Sequence, residues 1–94
     1  MVIRENPYTE EHLGENLYIR TFSQETLDEE LRWHWDQEDR VIYPQHPTDW
    51  MIQLDNKFPE KISSAILIPA GEWHRLIKGT GDLRLKIQKE KKDI

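Results

Sequence analysis

The chain has 94 residues, 36% apolar and 33% charged, and carries a net charge of −5, a size that allows one domain. Cysteine is absent, which excludes disulfides, cysteine-based zinc sites and a thiol nucleophile. Residues 1–47 hold 4 basic and 11 acidic side chains, net −7, against 9 basic and 7 acidic, net +2, in residues 48–94. So acidic a half argues against general nucleic-acid binding.

Residues 1–16 are polar and show no period, so an N-terminal arm is expected there, with one folded domain over 17–94. Leu17–Phe22 is rich in β-branched and aromatic residues and reads as a strand. Ser23 is placed to cap a single helical turn over 23–30. Leu31-Arg32-Trp33-His34-Trp35 alternates apolar with polar, the period of a half-buried strand. Arg40–Tyr43 resumes a strand that stops at Pro44, and Gln45–Asp49 is turn chemistry. Trp50–Leu54 alternates again and ends at the turn pair Asp55-Asn56, followed by a loop through Phe58, Pro59 and Glu60. Ile66–Ile68 is a short buried strand closed by Pro69-Ala70-Gly71. Trp73–Lys78 and Leu83–Ile87 are two further strands, and Gly79-Thr80-Gly81-Asp82 between them reads as a hairpin turn. About seven short strands at even spacing, with no long helix, predict an all-β, antiparallel barrel or sandwich. The longest apolar run, Ala65–Ile68, is far too short to cross a bilayer. The N-terminus also lacks a basic start followed by an apolar run. A cytoplasmic protein with no membrane partner is expected.

Pro69-Ala70-Gly71-Glu72-Trp73-His74 resembles the Pro-x-Gly-x-x-His core of the second cupin motif. Trp33-His34-Trp35-Asp36 stands where the first cupin motif carries His-x-His. From Leu31 to Ile87 the pattern is similar to short, uncharacterised cupin-like proteins of tailed phages. The resemblance implies a small jelly-roll barrel in which His74 points inward as a metal ligand. Asp36 takes the place of the second histidine, and Arg40 and Val41 fall where the first motif has its glutamate. Lys78 and Ser63 replace an asparagine and a glycine of the second motif.

Residues two apart on an extended strand share a face, so His34 and Asp36 point the same way and Glu38 is next in that row. With His74 from a neighbouring strand they make a set of two histidines and a carboxylate, suited to non-haem iron or a similar divalent metal. The bland alternative is an acidic loop beside two polar histidines in a wet barrel. Arg40, Arg75 and Lys78, with Arg32 nearby, suit an anionic ligand, because guanidinium forks match carboxylate and phosphate. Otherwise they are surface ion pairs. Trp33 and Trp35 lie on the face opposite His34. Either they are core and His34 is external, or His34 lines the cavity and the tryptophans pack against another strand or a second subunit, as in a homodimer. His12 and His46 read as ordinary loop histidines.

The leading expectation is a cupin-like binding protein that takes a small, anionic molecule. Arg40, Arg75 and Lys78 would neutralise the ligand, and Trp50 or Trp73 would give an apolar wall. The phage resemblance adds sequestration of a metabolite or nucleotide signal. The rival is a metal-dependent cupin enzyme of isomerase, lyase or dioxygenase type, with His34 and His74 holding the metal and Asp36 or Glu38 completing it. An empty structural barrel is the third class. No catalytic residue is assigned.

Overall fold

The computed structural model of the protein describes residues 8–27 and 31–90. Eight strands follow in order: β1 (Tyr8–Gly14), β2 (Leu17–Phe22), β3 (Asp39–Pro44), β4 (Met51–Leu54), β5 (Glu60–Lys61), β6 (Ile66–Ile68), β7 (His74–Ile77) and β8 (Leu83–Glu90). No helix occurs among the described residues, so none is long and apolar enough to cross a membrane. Five strands form one sheet in the order β1-β2-β8-β3-β6, and three form a second in the order β5-β4-β7. Every pairing is antiparallel.

The core lies between the sheets because alternate residues of each strand point into the same space. β8 shows this most cleanly. Leu83, Leu85 and Ile87 are buried, while Arg84 and Gln88 between and beyond them are exposed. Each buried aliphatic of this kind contributes roughly 1.5–3 kcal/mol. From the facing sheet Ile52 and Leu54 of β4 meet them, with Trp50 and Ile62 from the flanking loops.

Four local expectations are corrected. The polar segment read as an arm contains β1, which pairs along β2 from Tyr8↔Phe22 to Gly14↔Leu17. Beyond Tyr8, which packs against the core, its side chains are exposed, so backbone pairing does most to hold it and no hydrophobic period marks it. The Ser23 segment makes a turn without a helix as far as residue 27: Ser23 Oγ accepts the Glu25 N–H and Ser23 O the Thr26 N–H. Residues 28–30 lie outside the described residues.

The alternating segment 31–35 is not a strand. It touches β7 through one antiparallel bridge, His34↔His74, with His34 N–H donating to His74 O at 3.0 Å and His74 N–H to His34 O at 2.8 Å. The next rung would set residue 36 against residue 72. Instead Asp36 O accepts the N–H of Gly71 at 2.8 Å, one residue out of register, and the ladder stops. Gly71 has φ +77°, a backbone that glycine adopts without cost.

Finally, β7 and β8 do not form a hairpin. β7 pairs with β4, and β8 with β2 and β3, so residues 78–82 carry the chain from one sheet to the other. This corner is tied to the start of β4. Asp49 accepts the N–H and hydroxyl of Thr80 at 2.7 and 3.0 Å, bonds that hold its carboxyl below the usual range. Trp50 Nε1–H donates to Gly81 O at 3.0 Å. At Gly79 a Cβ would stand 2.6 Å from Trp50 N, so the approach admits only glycine.

Candidate metal and ligand site

A cavity of about 360 Å³ opens between the two sheets. Its walls are mostly apolar, with Phe22, Ile42, Ile52, Leu85 and Ile87 among them, and its polar groups are Arg20, Arg32, His34, Asp36, Arg40 and His74.

The bridge at 34 and 74 sets two imidazoles side by side, with ring centroids 4.3 Å apart and planes at 61°. His34 Nδ1 lies 2.9 Å from Arg32 O and His74 Nδ1 2.9 Å from Glu72 O. A carbonyl oxygen only accepts, so Nδ1 bears a hydrogen in both rings, and in a neutral imidazole that leaves the lone pair on Nε2. His74 is buried. Burial holds its imidazole below the ordinary value of 6.5, with His34 and Arg40 acting in the same direction, against the opposing pull of the Glu72 carbonyl and Asp36. His74 is therefore neutral at pH 7.

Asp36 completes the group. Its Oδ2 is 3.4 Å from His74 Nε2, is buried, and has no hydrogen-bond partner. Its Oδ1 faces the Arg40 guanidinium at 3.3 Å. One ligand atom from each of His34, Asp36 and His74 lies within 4.8 Å of the other two. The backbone that positions them is the turn already described: Gly71 N–H bonds Asp36 O, and Ala70 N–H donates to Asp39 Oδ1 at 2.7 Å.

The acidic run 36–39 thus divides into three tasks. Asp36 joins the histidines, Asp39 fastens the Pro69-Ala70-Gly71 turn, and Glu38 holds Arg40 through Nε at 2.9 Å and Nη2 at 2.8 Å. Glu38 is not among the grouped ligands. Arg40 lines the cavity, as expected of it. The other four residues assigned to the ligand do not. Trp50 is fully buried core. Trp73 and Arg75 flank inward-facing His74 and so face outward. Trp73 is 47% exposed, and Arg75 stacks 5.1 Å from the Trp33 ring and donates to Gln53 Oε1 at 3.0 Å. Lys78 Nζ donates to Thr26 O at 2.8 Å. Conversely Arg20 was missed. Its signal was parity, since it shares a strand face with Phe22.

Solved structures with a similar fold exist at low identity. One is a conserved protein of unknown function from Streptococcus pyogenes (13% identity, 83% of this chain and 65% of that one, TM-score 0.61). Another is the cobalt(II) form of HppE in complex with Tris buffer (12% identity, 96% and 57%, TM-score 0.67). A third is an RmlC-like cupin family protein with a double-stranded β-helix fold from Methanocaldococcus jannaschii (11% identity, 95% and 85%, TM-score 0.64). The fold is cupin-like. This chain spans under two thirds of the first two proteins. No family profile matches the sequence, and no curated protein does. In the cupin-like frame, His34, Asp36 and His74 are residues capable of holding a metal ion.

Proposed function

We propose that this cupin-like chain binds a small organic anion in its cavity, beside a divalent metal held by His34, Asp36 and His74. The observation that carries the reading is the buried, unpartnered Oδ2 of Asp36 facing two imidazoles whose Nε2 lone pairs are free. A buried carboxylate oxygen without a partner is costly, and a cation between it and the two rings removes that cost. Arg32 O and Glu72 O fix the ring orientations and Arg40 fixes the carboxylate, the usual office of groups behind metal ligands. Bound there, a divalent metal would supply Lewis-acid polarisation to a ligand in the cavity. Its volume is in the range of small-molecule sites, and among the described residues three arginines against one carboxylate on its wall favour an anion.

The test is metal analysis of protein prepared without chelator, together with titration by cobalt(II), manganese(II) and zinc(II). One equivalent is expected for the wild type and none for His34→Ala or His74→Ala, so the double variant adds no further loss. Absence of stoichiometric uptake of all three metals overturns the reading. A binding protein that sequesters a metabolite or signal and a metal-dependent enzyme of isomerase, lyase or dioxygenase type share this centre. Turnover by metal-loaded protein separates the two.

Assembly as a cytoplasmic homodimer is part of the same reading. Trp33, Trp35 and Trp73 are 40%, 48% and 47% exposed, and the bridge register sets Trp35 opposite Trp73 on the face away from the site. Large aromatics in one exposed group favour a protein contact. Sedimentation at tens of micromolar showing only an 11.4 kDa species would count against it.

A further inference from the structure

Arg20 lies in β2, across the cavity from the histidines, which belong to the other sheet and its bridge partner. Its side chain is only 12% exposed. Register places it between Glu10 and Leu85, and it lines the cavity. Its guanidinium sits 4.2 Å from the centroid of the Tyr8 ring, and Nε bonds Glu10 Oε2. Among the described residues Glu10 is its hydrogen-bond partner, and only through Nε. The four terminal N–H donors of the fork are thus uncommitted to described residues. Arg40, the other cavity arginine with assigned contacts, is engaged by Glu38 and Asp36. Of these two, Arg20 is the one with donors to offer.

The charge around it runs the same way. Lys89 stands opposite Arg40 on β8, and its ammonium is held below its ordinary value by burial first and then by Arg40 and Arg20. Three cationic groups thus gather at this end of the five-stranded sheet, with Glu10 and Glu38 opposing them. A divalent metal at Asp36 would add positive charge to a wall on which, among the described residues, Asp36 is the one carboxylate.

We infer that Arg20 is the specificity-determining residue of the cavity, whose terminal N–H groups clamp the oxyanion of a small ligand with a short apolar body. The inference rests on the cavity's assignment as the ligand site, and not on the metal being present. Ile42, Ile52 and Leu85 line the same cavity and supply the apolar wall that selects the ligand body. Tyr8 and Glu10 are positioning residues: the ring carries the guanidinium face and the carboxylate holds Nε. This fixes the fork before the ligand arrives and reduces the ordering cost of binding.

Calorimetric titration with hexanoate, succinate and inorganic phosphate, beside the neutral isostere hexanamide, tests it on metal-free and cobalt-loaded protein. The wild type is expected to prefer at least one anion to hexanamide. Arg20→Ala should weaken that anion about tenfold or more while leaving hexanamide within about twofold. Arg20→Lys, which keeps the charge and loses the fork, should recover part of the loss, and Glu10→Gln should fall between. Arg75→Ala, on the outer face, should change neither ligand. Equal losses for anion and hexanamide in Arg20→Ala would mean a structural role and overturn the inference, as would no anion preference in either metal state. If cobalt fails to bind while the anion preference and its dependence on Arg20 persist, the metal centre falls and the clamp stands.

Discussion

The two sheets are built on different terms. In the five-stranded sheet β8 is paired on both sides, with β2 from Leu17↔Gln88 to Phe22↔Leu83 and with β3 from Asp39↔Glu90 to Pro44↔Leu85. Its inward side chains are among the most buried in the protein. The three-stranded sheet has short ladders, and the segment carrying His34 joins it by one bridge. Cohesion is concentrated in one sheet and the candidate metal-ligating residues at the margin of the other. Groups placed where the ladder runs out can take positions that a ladder would forbid, as Asp36 does by meeting Gly71 out of register.

Substitutions should separate the two regions. The largest effect is expected at Leu85, 1% exposed on β8. Leu85→Ala should cost about 2–5 kcal/mol by denaturant unfolding, from lost burial and the cavity left behind. A loss well under 1 kcal/mol would break the comparison. His74→Ala should cost less in metal-free protein, about 1 kcal/mol for the lost bond to Glu72 O, yet abolish metal uptake.

Acid should act through the same ring. His74 is buried neutral with its affinity for protons lowered below 6.5, so at pH values under 6.5 the unfolded chain binds the proton more readily. Stability of the metal-free protein should be complete above that value and fall as the pH drops through it. In His74→Ala the slope in this window should shrink; an unchanged slope would assign the acid sensitivity elsewhere. Asp36→Asn keeps shape and removes charge. It should leave metal-free stability within about 1 kcal/mol while ending metal uptake. The smallest effect is expected at Arg75→Ala, within about 0.5 kcal/mol, because its partners Trp33 and Gln53 lie on the outer face.

The alternation in β8 and β4 announced both their existence and their inward faces, since a strand buried on one side has little freedom in side-chain order. Alternation over 31–35 was just as clean and correctly grouped His34 with Asp36, but periodicity reports orientation and not the number of backbone bonds. The Gly-Thr-Gly-Asp segment announced a turn; which sheet receives the outgoing strand depends on Asp49, thirty residues upstream, and no local signal carries that. His74 and Arg75 cannot both face the cavity, being adjacent. Arg20 was legible by the same parity rule from Phe22. β1 was not, because an exposed edge strand needs only a partner's backbone.

The central strand of the larger sheet is also the last in sequence among the described strands. β2 and β3 are not bonded to each other and share β8 as their common neighbour. As the polypeptide emerges from the ribosome, its histidines, acidic run and the Pro69-Ala70-Gly71 turn are all made before the strand that organises the frame. The sheet cannot close until β8 has been synthesised, and its ladders join residues far apart in sequence, the kind of pairing that folds slowly. Until then β2 and β3 present open edges, and this interval, more than the finished protein, is when the chain is exposed to aggregation and proteolysis.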